Sequence, residues 1–156
     1  FEGTFHVRVA FPCGHDNEHT EPFTSLSIPI APSVTQGIAK LLESSHVRST
    51  CDTCGAQQPA VKHMAIRKHP PYLIVHWKRF QNSGHKITTR IPPQLEGYEL
   101  VSCVNHRGSH FGGHYTACAK YNDTCYMCND ANVFGIRSEH MTKAAEAAYL
   151  LVYRKR

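Results

Sequence analysis

Strand-like segments dominate this chain, and they come without the regular alternation with helices that a parallel sheet requires. Phe5–Phe11 alternates apolar and polar residues with period two, the signature of a half-buried strand. Phe23–Ile30, Ala60–Arg67, Tyr72–Arg79, Tyr98–Asn105, His114–Tyr121 and Tyr149–Arg154 carry the β-branched and aromatic residues that suit a pleated surface. Pro12-Cys13-Gly14-His15 turns the chain, and a polar loop is expected from there to Pro22. Two stretches suggest helix. Ser33 is placed as an N-cap with Gln36 three residues on, ahead of Val34, Ile38, Leu41 and Leu42 at helical spacing, although Gly37 weakens that segment. Lys143–Ala148, rich in alanine, is expected to form a second, short helix. Many strands and few helices imply an α+β domain built on a mainly antiparallel sheet. At 156 residues the chain has room for one such domain, and it contains no internal repeat.

Composition excludes several classes of function. The longest apolar run, around Tyr72–Val75, is far too short for a membrane-spanning helix, so no membrane partner is expected. The start, Phe1-Glu2-Gly3-Thr4, lacks the basic and apolar regions of a secretory leader. It also lacks an initiator Met, and the expectation is a processed or excised part of a longer protein. The net charge of +5 is scattered apart from Lys78-Arg79 and Arg154-Lys155-Arg156. That distribution argues against a nucleic-acid partner, which would need a basic stripe with interleaved aromatics. Seven cysteines, an odd number, speak against a disulfide framework and for metal binding or thiol chemistry in a reducing compartment.

Cys51-x-x-Cys54 followed by Gly55 has the spacing that lets two thiolates converge on one ion. Cys13 with His15 supplies the chemically reasonable second pair, giving Cys13, His15, Cys51 and Cys54 as a candidate structural zinc site. A knuckle that has lost its metal and survives as a hairpin is the alternative. A second constellation runs from His106 to Ala117. Its glycines, Gly112 and Gly113, permit close approach of an extended chain, and His114 stands at the start of a strand, where a general base is held rigidly. Asn129 follows fifteen residues later. Two strands joined by a hairpin would set it beside His114, fixing one ring nitrogen and leaving the other to face a thiol. A hydrogen-bonded structural histidine has the same residue types.

In order along the chain, these pieces resemble the ubiquitin-specific protease family of deubiquitinating cysteine proteases. The resemblance covers Phe1-x-Gly3, Cys13-Gly14-His15, Phe23-x-x-Leu26-Ser27-Ile28 and Cys51-x-x-Cys54. It continues through Pro71–Phe80, Tyr98-x-Leu100, His106-x-Gly108, Gly113-His114-Tyr115-x-Ala117, Asn129-Asp130-x-x-Val133 and Ala148-Tyr149-x-Leu151-x-Tyr153. It implies the papain-like fold of that family, with fingers over about residues 1–65, palm over about 66–156 and the thumb missing. It implies His114 as general base, Asn129 as the third triad member and Asp130 as their polar neighbour. Ser109, Phe111, Gly112, Gly113 and Tyr115 then belong to the loop and strand beside the channel for the ubiquitin tail. The implied partners are ubiquitin and ubiquitinated proteins, the implied cofactor is at most a structural zinc, and the implied setting is cytoplasm or nucleus.

The sequence departs from the family pattern in three places. The cysteine box that opens the family's thumb is not found, so the nucleophile is expected from a segment outside this chain and the 156 residues alone are expected to be inactive. Asn122-Asp123-Thr124-Cys125-Tyr126-Met127 echoes that box but sits between His114 and Asn129, which makes Cys125 a strand side chain rather than a nucleophile. Ala10 replaces the first cysteine of the first knuckle, and the stretch from Lys86 to Tyr98 is short. Cys103 and Cys118 are expected to be buried, Cys128 to be a core position, Trp77 and Phe80 to pack in a strand, and Lys78-Arg79 to form a solvated face. A catalytically inactive ubiquitin-binding module is the alternative function, and a zinc ribbon reading nucleic acid is a more distant one.

Overall fold

A computed structural model describes all of residues 1–156. Eleven strands and two helices follow one another as β1 (Gly3–Ala10), β2 (Asp16–Phe23), β3 (Ser25–Ile28), α1 (Val34–Leu41), β4 (Ser45–Thr50), β5 (Gln57–Lys68), β6 (Tyr72–Trp77), β7 (Tyr98–Ser109), β8 (Gly112–Tyr121), β9 (Thr124–Asn129), β10 (Asn132–Ile136), α2 (Ser138–Ala145) and β11 (Leu150–Lys155). They form two sheets. The smaller runs β2-β1-β5-β4 and the larger β10-β9-β8-β7-β11-β6-β3. Every pairing is antiparallel except β3 against β6, as expected for an α+β chain with few helices to serve as crossovers. Within the segment expected as fingers, β3 joins the larger sheet and α1 packs against β3.

The period-two segments become strands because one face of each has a core to cover. In β1, Phe5, Val7 and Val9 are buried while Arg8 is exposed; in β6, Leu73, Val75 and Trp77 point inward. Ser33 caps α1, its hydroxyl accepting from the Gln36 amide at 3.2 Å. Gly37 is buried at the α1–β3 contact, where a Cβ would collide with Ile28 and Trp77. The residue that weakens the helix is therefore the one that lets it sit down on the sheet.

Three expectations are corrected. The stretch to Pro22 is strand β2, paired along its length with β1. Most of its residues are exposed and polar, so it has no apolar period; cross-strand contacts such as Arg8–Asp16 at 2.6 Å supply the pairing signal instead. The second helix is Ser138–Ala145, ahead of the alanine-rich stretch, because Ala145 and Ala148 are needed as small buried residues where the chain turns into β11. Finally, Arg79 is not solvated: it is 2% exposed. Its Nε donates to the Ala148 carbonyl at 2.6 Å, Nη1 to Ile87 and Thr89 at 3.1 and 2.9 Å, and Nη2 to Glu146 at 3.3 Å. Lys78, beside it, is exposed.

Candidate active site and metal cluster

The β7–β8 hairpin positions the first site. Its strands run further than the sequence suggests, pairing Ser109 with Gly112 and leaving only His110-Phe111 as the turn. The expected glycine-rich loop is thus mostly ladder. Gly108 takes φ +137°, and a Cβ on Gly113 would strike the His106 ring and the Arg107 carbonyl. Both glycines are demanded by close packing across the hairpin. Ser109 Oγ accepts from the Phe111 amide at 3.2 Å, which holds the tip, while the Phe111 ring is 95% exposed.

His114 is the third residue of β8, and β9 pairs with β8 in a register that sets Ala117 opposite Cys128. Asn129, the last residue of β9, therefore lies diagonally from His114 on the same face of the sheet. The two side chains meet, with His114 Nε2 and Asn129 Oδ1 2.5 Å apart. An amide oxygen only accepts, so the neutral ring carries its proton on Nε2 and leaves the Nδ1 lone pair bare. Asp130 directly follows, at φ +52°, in the turn to β10; it is exposed and is not hydrogen-bonded to the imidazole. Tyr115 points to the other face of β8, its ring 4.7 Å from that of His106.

His114 and Asn129 open onto a cavity of about 670 Å³ whose wall also includes Lys86, Asn105, His106, Arg107, Thr116 and Phe134. Sequence reasoning gave none of these neighbours a role, though His106, Arg107 and Thr116 lay inside the stretch it marked. The Lys86 ammonium donates to His106 Nδ1 at 3.1 Å and also bonds the His106 carbonyl. Desolvation and that cation hold the His106 imidazole below its ordinary pKa. No cysteine lines the cavity. Cys125 is buried in β9, four residues back from Asn129 and so about 13 Å along the strand. Cys103 and Cys118 face each other across β7 and β8, both fully buried, and burial raises Cys103 to about 12. Cys128 is half-buried.

The second cluster forms at the far end of the smaller sheet. Because β1 and β5 are neighbours, the tips of the β1–β2 and β4–β5 hairpins come together. The donor atoms of Cys13, His15, Cys51 and Cys54 all lie within 4.8 Å of one another, close enough to hold one metal ion. Cys13 Sγ is 3.8 Å from Cys51 Sγ, and His15 Nδ1 is 3.3 Å from Cys54 Sγ and 3.9 Å from Cys51 Sγ. The His15 backbone amide lowers the Cys13 thiol to about 6, whereas the neighbouring Cys13 and Cys51 sulfurs raise Cys54 to about 11. Three crowded sulfurs resist sharing negative charge unless a cation sits among them. His15 thus completes a set of four that Ala10 does not join.

The architecture is α+β, and a His–Asn pair is held beside an open cavity. The profile of the ubiquitin carboxyl-terminal hydrolase family matches residues 33–153, and the chain belongs to that family. It is similar to the human "Ubiquitin carboxyl-terminal hydrolase 2", 30% identical over 90% of this chain and 28% of the relative. It is similar also to "Probable ubiquitin carboxyl-terminal hydrolase 8" of Schizosaccharomyces pombe, 24% identical over 100% of this chain and 38% of the relative. Among solved structures, "Structure of the SAGA Ubp8/Sgf11/Sus1/Sgf73 DUB module bound to ubiquitin aldehyde" superposes over the full chain with a TM-score of 0.80 at 25% identity, covering 41% of that protein. The chain spans less than half the length of these relatives. Its fold is that of the ubiquitin-specific protease catalytic domain.

Proposed function

We propose that this chain is the ubiquitin-holding and proton-transferring part of a deubiquitinating cysteine protease, acting on the peptide or isopeptide bond after ubiquitin's terminal glycine. The observation that carries the reading is an exposed imidazole, fixed by Asn129 with Nδ1 bare, beside an open cavity that no thiol of this chain reaches. A thiol from another segment completes it. His114 Nδ1 takes the S–H proton, and the thiolate attacks the carbonyl carbon. The C–N bond breaks as the imidazolium returns that proton to the leaving amine. Water, deprotonated by the same nitrogen, then attacks the thioester carbonyl; the C–S bond breaks, ubiquitin leaves with its carboxylate, and the imidazolium returns the proton to the departing thiolate. Asn129 holds the ring to one tautomer throughout, with Asp130 at the turn that ends its strand. Ser109, Phe111, Gly112, Gly113 and Tyr115 form the proposed border of the tail channel, where the tight hairpin and its exposed tip suit a chain threading past in extended form. Ubiquitin's folded body would rest on the two sheets.

The metal cluster is read as a structural zinc site. Four ligands at the usual Zn–S length of about 2.3 Å leave sulfurs about 3.8 Å apart in a tetrahedron, which the Cys13–Cys51 spacing matches. Zinc there would neutralise the sulfurs and lock the two hairpin tips, keeping the fingers rigid far from the chemistry.

Two measurements test the proposal. Ubiquitin titrated into the 15N-labelled chain is expected to shift amides of β8 and of the smaller sheet, with no hydrolysis of a ubiquitin C-terminal coumarin amide. The protein that carries both this chain and a thiol segment is expected to hydrolyse that substrate and to lose turnover on His114→Ala. Binding without His114-dependent hydrolysis would leave the inactive ubiquitin-binding module as the correct function.

A further inference from the structure

We propose that Asn17 is the clasp of the metal site: it ties the two hairpin tips together through hydrogen bonds independent of any ion, and so gathers the four ligands before a metal arrives. The inference rests on the reading of Cys13, His15, Cys51 and Cys54 as a metal site. Asn17 lies two residues beyond His15 on β2, an edge strand that is not paired to β4 at all. It is half-buried while its neighbours Asp16 and Glu18 are exposed, because its side chain reaches across the end of the sheet to the other hairpin. There Asn17 Nδ2 donates to the Thr50 carbonyl at 2.9 Å, and Asn17 Oδ1 accepts from the Asp52 amide at 3.1 Å. The two bonds bracket Cys51, the one fully buried ligand.

An amide does both jobs at once from two separate atoms. Its donor and acceptor are fixed in one plane, matching a carbonyl and an N–H that flank a single residue. Aspartate would keep the acceptor and lose the donor; alanine loses both. The rest of the knuckle is locally closed, with the Gly55 amide bonded to the Cys51 carbonyl at 2.8 Å and the Cys51 amide to the Ala56 carbonyl at 3.0 Å. It is a prefabricated turn that β1–β5 pairing carries toward Cys13 and His15, and Asn17 fixes its final approach to the other tip. Gln58 adds a smaller one, donating Nε2–H to Cys13 Sγ at 3.3 Å. Outer groups of this kind orient metal ligands, and removing one typically costs about 10–100-fold in metal affinity. The consequence is a site that is largely built without its ion, unlike small zinc domains that fold only on binding.

The test uses the 156-residue chain as wild type, Asn17→Ala, Asn17→Asp and Gln58→Leu. Zinc affinity is read by competition with a chromophoric chelator, and amide exchange over residues 50–56 is read in the metal-free protein. The clasp predicts unit zinc stoichiometry in the wild type and an affinity loss of about 10–100-fold in Asn17→Ala. Asn17→Asp should lose less and Gln58→Leu least. In the metal-free protein, exchange over 50–56 should be protected in the wild type and accelerated in Asn17→Ala, with unchanged exchange in β6 and β11 showing that the fold is intact. Equal zinc affinity for wild type and Asn17→Ala, or wild-type exchange over 50–56 as fast as in the variant, overturns the clasp. No zinc uptake by the wild type overturns the metal reading instead, since exchange in the metal-free protein reports on the clasp by itself.

Discussion

Arg79→Lys isolates what a buried guanidinium does in this fold. The side chain is 2% exposed and its acceptors are four carbonyls, from Ile87 and Thr89 on one segment and Glu146 and Ala148 on another. It therefore stitches the stretch that carries Lys86 to the turn before β11, next to the cavity wall. Lysine keeps the charge but concentrates its donors on one nitrogen, which cannot reach acceptors on both segments. Losing two charge-assisted bonds, at roughly 1.5 kcal/mol each, makes the variant about 3 kcal/mol less stable. For a chain of this size that corresponds to a fall in melting temperature of roughly 6–12 °C. Urea denaturation followed by tryptophan fluorescence reads the same loss, since Trp77 is two residues away and buried. Amide exchange at Ile87 and Ile91, whose N–H groups bond the Arg79 and Glu146 carbonyls, should accelerate more than exchange in β1. A melting temperature within about 2 °C of wild type would refute the reasoning and make those carbonyls indifferent to their partner.

His114→Gln in the thiol-bearing protein should lower kcat/KM for a ubiquitin C-terminal amide by at least about 100-fold while ubiquitin affinity holds, and Asn129→Ala should lower it less, both read in a steady-state fluorogenic assay. Gly113→Ala forces a methyl against His106 and Arg107, so its melting temperature should fall by the equivalent of about 1–3 kcal/mol, and the amides of His106 and His114 should shift in the 15N spectrum. Glu99 is held at about pKa 2 by Lys120 and Arg154, at 2.7 Å each. Against an unfolded carboxyl near about 4.3, its contribution is complete above that value and disappears as pH falls through about 2. The stability gap between wild type and Glu99→Gln, measured by urea midpoints, should therefore be widest above pH ~5 and shrink steadily on acidification.

What the sequence revealed and what it hid divide along physical lines. β1, β6 and β11 announce themselves because each must bury alternate residues, and Ser33 because capping chemistry is local. β2 hides because an exposed edge strand has no buried face to pattern, and β4 for the same reason: its residues are mostly exposed. Cys13, His15, Cys51 and Cys54 were legible as a foursome from ligand type and spacing alone, whereas Asn17 was not, since an asparagine on a polar stretch carries no period or motif. Arg79 reads as surface by residue type, and only the fold reveals the four carbonyls waiting for it. His114 and Asn129 could be paired in advance because hairpin geometry couples positions on neighbouring strands. Lys86 could not be, because it reaches the cavity from a loop segment whose position no local signal sets.

The tautomer of His114 is the most direct test of the central claim. In the 15N-imidazole-labelled chain at pH above the histidine range, the account predicts a resonance pattern with Nε2 protonated and Nδ1 bare, and a shift toward the mixed tautomers of a free imidazole in Asn129→Ala. An Nδ1-protonated ring, or a spectrum that Asn129→Ala leaves unchanged, would contradict the claim that this histidine is held ready to take a proton from a thiol.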